Sequence, residues 1–177
     1  FEKSLSEKKV PEEIERKNLK EYFKKWTDIK WERDFFNLYK QALELVDLPV
    51  HDRSVATTLN KQMSIALHLN SRYLIVSHRS SLKKTIAFIL TLDFEEKLEK
   101  YNCTYKGYFS NRNQEKEALY IELEYKDLTQ LDKEFLDNWK RAIIEEKQRG
   151  SRYSMRTCQN NIIYDKSKNG GIVDEFV

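Results

Sequence analysis

The sequence contains little of the residue types that build unusual architectures, with two cysteines, two prolines and four glycines among 177 residues. Cys103 and Cys158 are far apart and have no second cysteine or histidine at zinc-ligand spacing, so they indicate neither a disulfide framework nor a zinc site. The scarcity of proline and glycine excludes collagen-like and low-complexity chains. Isolated cysteines favour a reducing compartment, and we expect a cytoplasmic protein.

Long apolar runs are also missing. The most apolar stretches, 74–76 and 86–90, are short and lie between charged residues, whereas a membrane-spanning helix needs about 20 apolar residues. We therefore expect no contact with a membrane. Residues 1–9 have neither an apolar core nor a small-residue cleavage site, so we expect this segment not to be a secretory signal. The first residue is Phe1 rather than Met, which favours a fragment of a longer chain.

The composition is typical of one folded domain. Hydrophobic residues make up 40% of the chain and aromatic residues 12%, which is too much for a disordered chain. The length fits a single domain over 1–177, because a chain of this size can bury most of the surface that its unfolded state exposes. Lysine and arginine total 32 against 29 acids, giving a net charge of +3. Because this net charge is small, it does not by itself indicate an anionic partner, and evidence for one must come from how the charges are distributed along the chain.

Apolar residues recur at helical spacing in several parts of the chain. Pro11, followed by two acids, is typical of a helix start, and the amino-terminal part over 11–50 is predicted to be helical. Ser54 is a candidate N-cap, and Gly150 is a candidate stop signal. The helices are predicted at 11–26, 31–46, 54–62, 94–101 and 131–149. The remainder, 150–177, is predicted to be a polar, irregular tail.

The periodicity changes to two residues from Ser64 onward. Apolar residues alternate with others up to Leu69, and the pair Asn70-Ser71 then predicts a hairpin turn. The strands, all within 64–126, are predicted at 64–69, 73–76, 85–92, 103–110 and 119–125. This order of elements predicts an α+β fold, in which a mostly antiparallel sheet of about five strands packs with the amino-terminal helices and one long carboxy-terminal helix.

Segment 120–126 carries the sharpest chemical pattern. On a strand, alternation places Glu124 and Lys126 on the same face. Their spacing resembles the PD-(D/E)XK nuclease motif, in which a carboxylate binds Mg²⁺ and the lysine stabilises charge that develops at the phosphate. Segment 103–110 has no acid, so Asp93 is the nearest substitute for the further acid of that family. The alternative is a solvated sheet face, with no catalytic residue, metal or cofactor.

Two acid-poor clusters of basic residues favour nucleic-acid binding. The first runs from Arg72 to Lys84, over the return strand of the predicted hairpin and the following turn, and the second runs from Lys140 to Arg156, across the end of the last predicted helix. The predicted nucleic-acid-binding residues are Arg72, Arg79, Lys83, Lys84, Arg149, Arg152 and Arg156. Basic side chains neutralise phosphates and release counterions, so DNA is the expected partner. The alternative is that both clusters are ordinary solvated surfaces.

Aromatic residues offer a second means of contacting nucleic acid, because they stack on unpaired bases. Tyr120 and Tyr153 are the predicted base-stacking candidates. Tyr105 and Tyr108 fall on opposite faces of one predicted strand, so at most one of them can be exposed. Trp139 lies at helical core spacing, which favours packing instead of binding.

The order of elements from Ser64 to Asp165 ends with Asn138-Trp139-Lys140-x-Ala142 and a basic Arg152-Tyr153 segment. In this order the chain resembles the accessory DNA-recognition domains placed ahead of the motor NTPase in modification-dependent (McrBC-like) bacterial restriction systems. The resemblance implies a defence module that reads DNA, with an aromatic pocket for a modified base and with other domains or subunits of a parent complex as partners. No catalytic residue carries over.

Three functions therefore stay open. The leading prediction is a DNA-recognition module without catalytic activity. The second is a Mg²⁺-dependent nuclease that uses Glu124, Lys126 and Asp93. The third is a protein-interaction or scaffold domain in which the helices around Trp26 and Trp31 dock a partner.

Overall fold

The computed structural model of the chain describes residues 10–49, 52–60, 64–79, 84–124, 131–150 and 160–177. Within these ranges lie five α-helices, one 3₁₀ helix and a six-stranded antiparallel sheet. The predicted α+β class is therefore confirmed, with one strand more than expected.

The two amino-terminal helices agree with the prediction. Helix α1 spans Glu12–Lys25, with acids in its first turn and lysines in its last, as the helix dipole favours. Helix α2 spans Ile29–Val46 and is capped by Asp28, whose carboxylate accepts a hydrogen bond from the backbone N–H of Trp31 at 3.2 Å. It ends at Asp47, which adopts the left-handed conformation.

The sheet is a meander of four strands extended by a hairpin. Its strands are β1 Val55–Leu59, β2 Ile65–Leu69, β3 Arg72–Arg79, β4 Lys84–Leu90, β5 Cys103–Ser110 and β6 Lys116–Glu124. Their spatial order is β1-β2-β3-β4-β6-β5, and all neighbours are antiparallel. Asn70 and Ser71 both have positive φ, 54° and 66°, as a two-residue hairpin turn between β2 and β3 requires.

Strand β1 corrects the helix predicted over 54–62. Ser54 caps no helix, because its hydroxyl bonds to the carboxylate of Asp52 at 2.5 Å. Val55, Ala56 and Thr57 are all fully buried, as in a strand that is covered on both faces. The β-branched side chains of Val55, Thr57 and Thr58 favour a strand, which pairs with β2 along its whole length.

The rest of the sheet region agrees with the predicted elements. A 3₁₀ helix at Leu92–Lys100 connects β4 to β5. Helix α3 spans Lys133–Arg149 and is capped by Asp132, which accepts from the backbone N–H of Phe135 at 2.9 Å. Gly150 follows it with a positive φ of 78°, as predicted for a helix stop.

The described part of the predicted tail is helical and contributes to the core. Helix α4 spans Asn161–Lys168 and helix α5 spans Ile172–Phe176, so the prediction of an irregular segment is wrong for 160–177. Ile163 is fully buried. The carboxylate of Glu15 accepts hydrogen bonds from the backbone N–H groups of Ile162 and Ile163 at 3.0 and 2.8 Å, which caps α4 from a distant part of the chain.

The helices pack on one face of the sheet and form the main core there. Trp139 of α3 donates its indole N–H to the carbonyl of Leu74, and Tyr39 of α2 donates its hydroxyl to the carbonyl of Ala66. A separate small cluster, formed by Ala66, Val76 and Ala87, lies on the opposite face. None of the described helices is long and apolar enough to cross a membrane.

Candidate functional site

The face of the sheet opposite the helices carries a connected group of aromatic rings. Tyr120 on β6 lies at its centre, with ring centroids 5.9 Å from Tyr73, 6.0 Å from Tyr105 and 5.6 Å from Phe109. His68 continues the group, since its ring lies 4.5 Å from that of Tyr73. We call these five residues the aromatic face. They come from β2, β3, β5 and β6, so the register of the sheet assembles them.

Two members of the aromatic face are open to solvent. The exposed fraction of Tyr73 is 40% and that of Tyr105 is 54%, whereas Tyr120 is half-buried. The predicted contrast between Tyr105 and Tyr108 is confirmed, because Tyr108 is less exposed and donates its hydroxyl to Glu95 of the 3₁₀ helix at 2.6 Å. Exposed rings that stand side by side on a rigid sheet can stack on flat ligands.

A carboxylate lies next to these rings. Oε1 of Glu122 accepts a hydrogen bond from the hydroxyl of Tyr120 at 3.1 Å and lies 3.6 Å from Nε2 of His78. The other ring nitrogen of His78, Nδ1, lies 3.2 Å from the hydroxyl of Ser64. Burial, and then the charge of Glu122, raise the pKa of the Tyr120 phenol far above its usual range, so it stays a donor.

His68 marks the other side of the aromatic face. Its side chain is buried, and its Nε2 lies 3.2 Å from the hydroxyl of Thr58 on β1. Burial lowers the pKa of the imidazole to about 4, because the charged form loses its hydration. His68 is therefore neutral near pH 7 and acts there as a packing and hydrogen-bonding group.

Two of the predicted phosphate-binding arginines are held by carboxylates within the fold. Arg72 contacts Glu117 at 2.5 Å and Glu146 at 3.0 Å, and Arg149 contacts the same Glu146 at 2.5 Å. We call these four residues the ion network. Only 13% of the Arg72 side chain and 2% of the Glu146 side chain are exposed. Arg72 and Arg149 therefore link β3, β6 and α3 and do not form an open phosphate site.

The other predicted basic residues divide into three groups. Lys84 binds the carboxylate of Asp28, the N-cap of α2. Arg79 pairs with Lys84 across β3 and β4, which places both at the end of that hairpin. Lys83, Arg152 and Arg156 lie outside the described residues, as does the predicted stacking residue Tyr153.

The structure does not bring together Glu124 and Asp93, the two described residues of the nuclease alternative. Glu124 pairs with Thr85 at the start of β4, whereas Asp93 follows the other end of that strand. The two ends, Thr85 and Leu90, are roughly 17 Å apart at 3.3 Å per residue. Asp93 instead binds Arg141 of α3 at 3.2 Å. Lys126 lies outside the described residues, within which no group of three or more His, Cys, Asp or Glu side chains could hold a metal.

The tryptophans of the scaffold alternative are core residues. Trp31 is 2% exposed and Trp26 is 8% exposed, and Trp31 stacks on Phe35 with a centroid distance of 5.7 Å. They stabilise the packing of α1 and α2 and do not form a docking surface.

Tyr120, predicted from the sequence as a stacking residue, lies on the aromatic face, and its stacking role stays a prediction. The sequence pointed neither to Tyr73 nor to the contact between His78 and Glu122. Alternation gives the face of each residue within its own strand, but only the pairing register shows which residues of different strands are neighbours. The chain matches no protein-family model, no curated protein and no solved structure.

Proposed function

We propose that this domain binds DNA, with unpaired bases stacked on the aromatic face. The supporting observation is the group of contacting rings around Tyr120, of which Tyr73 and Tyr105 are exposed. Every base has an aromatic face, so base stacking on such rings tolerates many sequences and stabilises each contact by about 1–3 kcal/mol. A sheet with helices on one face and aromatic rings on the other is also a recurrent geometry for binding single strands.

Phosphate contacts would come from the hairpin end between β3 and β4. Arg79 lies there, next to Lys83 across the turn, and His78 on the same strand approaches Glu122 beside the aromatic face. Lys84, opposite Arg79, is held by Asp28 and has no part in this proposal. Arg72 and Arg149 have no part in this proposal, because the ion network occupies both guanidinium groups. Arg152 and Arg156 would add to the same electrostatic attraction.

The proposed role is recognition without catalysis. The resemblance to DNA-recognition domains of restriction systems supports DNA, and not RNA, as the bound nucleic acid. The separation of Asp93 from Glu124 gives no support to the nuclease alternative. In this role the domain would deliver a parent complex to its target, and any cutting or motor activity would belong to other domains or subunits.

The proposal is tested by measuring binding of fluorescently labelled single-stranded and duplex DNA by polarisation, over a range of salt concentrations. We expect the single strand to bind more tightly, with an affinity that falls as salt rises. Tyr105→Ala and Tyr73→Ala should each weaken binding roughly 5- to 100-fold, because each removes a stacking surface.

Ile144→Ala is the matched control, because Ile144 is a large, 43% exposed residue on α3, in the helical layer. It should leave the affinity unchanged. Absence of binding at low salt by the folded wild-type protein would contradict the proposal, and equal losses in all three variants would remove the aromatic face from it.

A further inference from the structure

Glu122 occupies a distinctive place on the sheet. The register places it directly between Tyr105 on β5 and Ala87 on β4. It therefore has an exposed aromatic ring on one side and a methyl group on the other. Its side chain is 28% exposed, so a ligand stacked on Tyr105 can reach the carboxylate.

Within the described part of the chain, the contacts of the Glu122 carboxylate leave one of its two oxygens available to accept a hydrogen bond from a ligand. Both the hydroxyl of Tyr120 and Nε2 of His78 approach Oε1, and no described contact uses Oε2. These two neighbours also fix the orientation of the side chain, since they hold it from two different strands. The result is an oriented acceptor beside a stacking surface.

A carboxylate distinguishes bases by their donors. Cytosine, adenine and guanine carry an exocyclic amino group, whereas uracil and thymine present carbonyl oxygens on both sides of a single ring N–H. An amino group can donate to Oε2, while a carbonyl oxygen facing the carboxylate is repelled.

We infer that Glu122 is a specificity-determining residue that accepts a hydrogen bond from the exocyclic amino group of a base stacked on Tyr105. The aromatic face then selects amino-bearing bases and rejects uracil and thymine. This inference rests on the proposed function, because it assigns base selection to the same surface.

The test compares binding of oligo-dC and oligo-dU of equal length to the wild-type protein, since these homopolymers share sugar, phosphate and ring size and differ at the base edge. We expect a preference for oligo-dC of roughly tenfold. Glu122→Gln should bring the two affinities close together, because an amide can donate to the uracil carbonyl as well as accept from the cytosine amino group.

Glu124→Gln is the matched control, because Glu124 lies two residues further along the same face of β6. It removes the same charge and should keep the preference for oligo-dC. Equal wild-type affinities for the two homopolymers, or a preference that survives in Glu122→Gln, would overturn the inference while leaving nucleic-acid binding intact. Absence of binding to either homopolymer would overturn the proposed function and this inference together.

Discussion

His68 is a buried titratable side chain, and its lowered pKa of about 4 makes stability depend on pH. In the unfolded chain the imidazole titrates near 6.5, so between pH 6.5 and 4 the unfolded state binds more protons than the folded state. The stabilising effect of a neutral His68 is therefore complete above pH 6.5 and is lost as the pH falls toward 4. The loss should reach up to about 3 kcal/mol.

The measurement is urea unfolding at several pH values for the wild-type protein and for His68→Gln, which keeps a hydrogen-bonding group but does not titrate. The stability difference between the two proteins should change between pH 6.5 and 4 and stay constant above that range. Taking the difference cancels other titrations, including that of Glu15, whose pKa burial raises. Parallel pH profiles for the two proteins would refute the assignment to His68.

Glu15 is a second residue whose effect extends beyond its own helix. Glu15→Ala would leave the buried N–H groups of Ile162 and Ile163 without their acceptor, so we expect a loss of about 1–3 kcal/mol in the free energy of unfolding. Denaturant titration measures this loss. Glu13→Ala is the control, because Glu13 lies on the exposed side of α1 and should change stability by less than about 0.5 kcal/mol.

At the scale of elements, the ion network fixes α3 to the sheet. Arg72→Ala would leave the buried Glu146 with one cation fewer, and breaking a buried ion pair on one side costs about 3–5 kcal/mol. We expect a loss of this size in chemical denaturation. Arg33→Ala is the matched control, because the pair of Arg33 with Asp174 is exposed and contributes about 0–1 kcal/mol. Similar losses for both arginines would show that the network does not stabilise the attachment of α3.

The elements that could be predicted from the sequence are those in which apolar residues recur with one clear period over many residues. Helices α1, α2 and α3 each bury one apolar stripe, and the β2–β3 hairpin has an alternating strand before a recognisable turn and an apolar run after it. Strand β1 has five residues, too few for its period to exclude a helix. Helices α4 and α5 have eight and five residues, too few to show a clear helical period, so the burial of Ile162, Ile163 and Ile172 depends on tertiary contacts.

At the scale of the whole molecule, the sequence predicts only those features of the candidate site that depend on periodicity within one strand. Alternation placed Tyr120 on the same face as Glu122, and Tyr105 and Tyr108 on opposite faces, which are properties of single strands. The ion network could not be predicted, because Arg72 meets Glu146 across 74 residues of sequence. Basic residues that cluster in the sequence can be neutralised by acids that are distant in the sequence and near in space.

Charge reversal tests the electrostatic part of the proposal. Arg79→Glu, Lys83→Glu and Arg152→Glu in one protein should weaken DNA binding for all sequences and reduce its salt dependence, because fewer phosphates are neutralised. The readout is the slope of log affinity against log salt concentration.

The matched control for this triple variant carries Lys17→Glu, Lys20→Glu and Lys24→Glu. These three lysines are exposed on α1, in the helical layer, so the net charge changes by the same amount on another surface. Only the first triple variant should lose binding. Equal losses would indicate attraction to the whole protein instead of a defined surface.

The docking of α4 has a consequence for the order of folding. Asn160 donates its backbone N–H to the carbonyl of Thr57 at 2.8 Å, and the Glu15 contacts to Ile162 and Ile163 span 147 and 148 positions. Contacts between residues so far apart in the sequence form late in folding, because the long loop between them must first lose conformational entropy. During synthesis at about 5–20 residues per second, β1 leaves the ribosome roughly 5–20 s before its partner at Asn160. Through that interval the carbonyl and hydroxyl of Thr57 lack the partner that Asn160 provides in the folded protein.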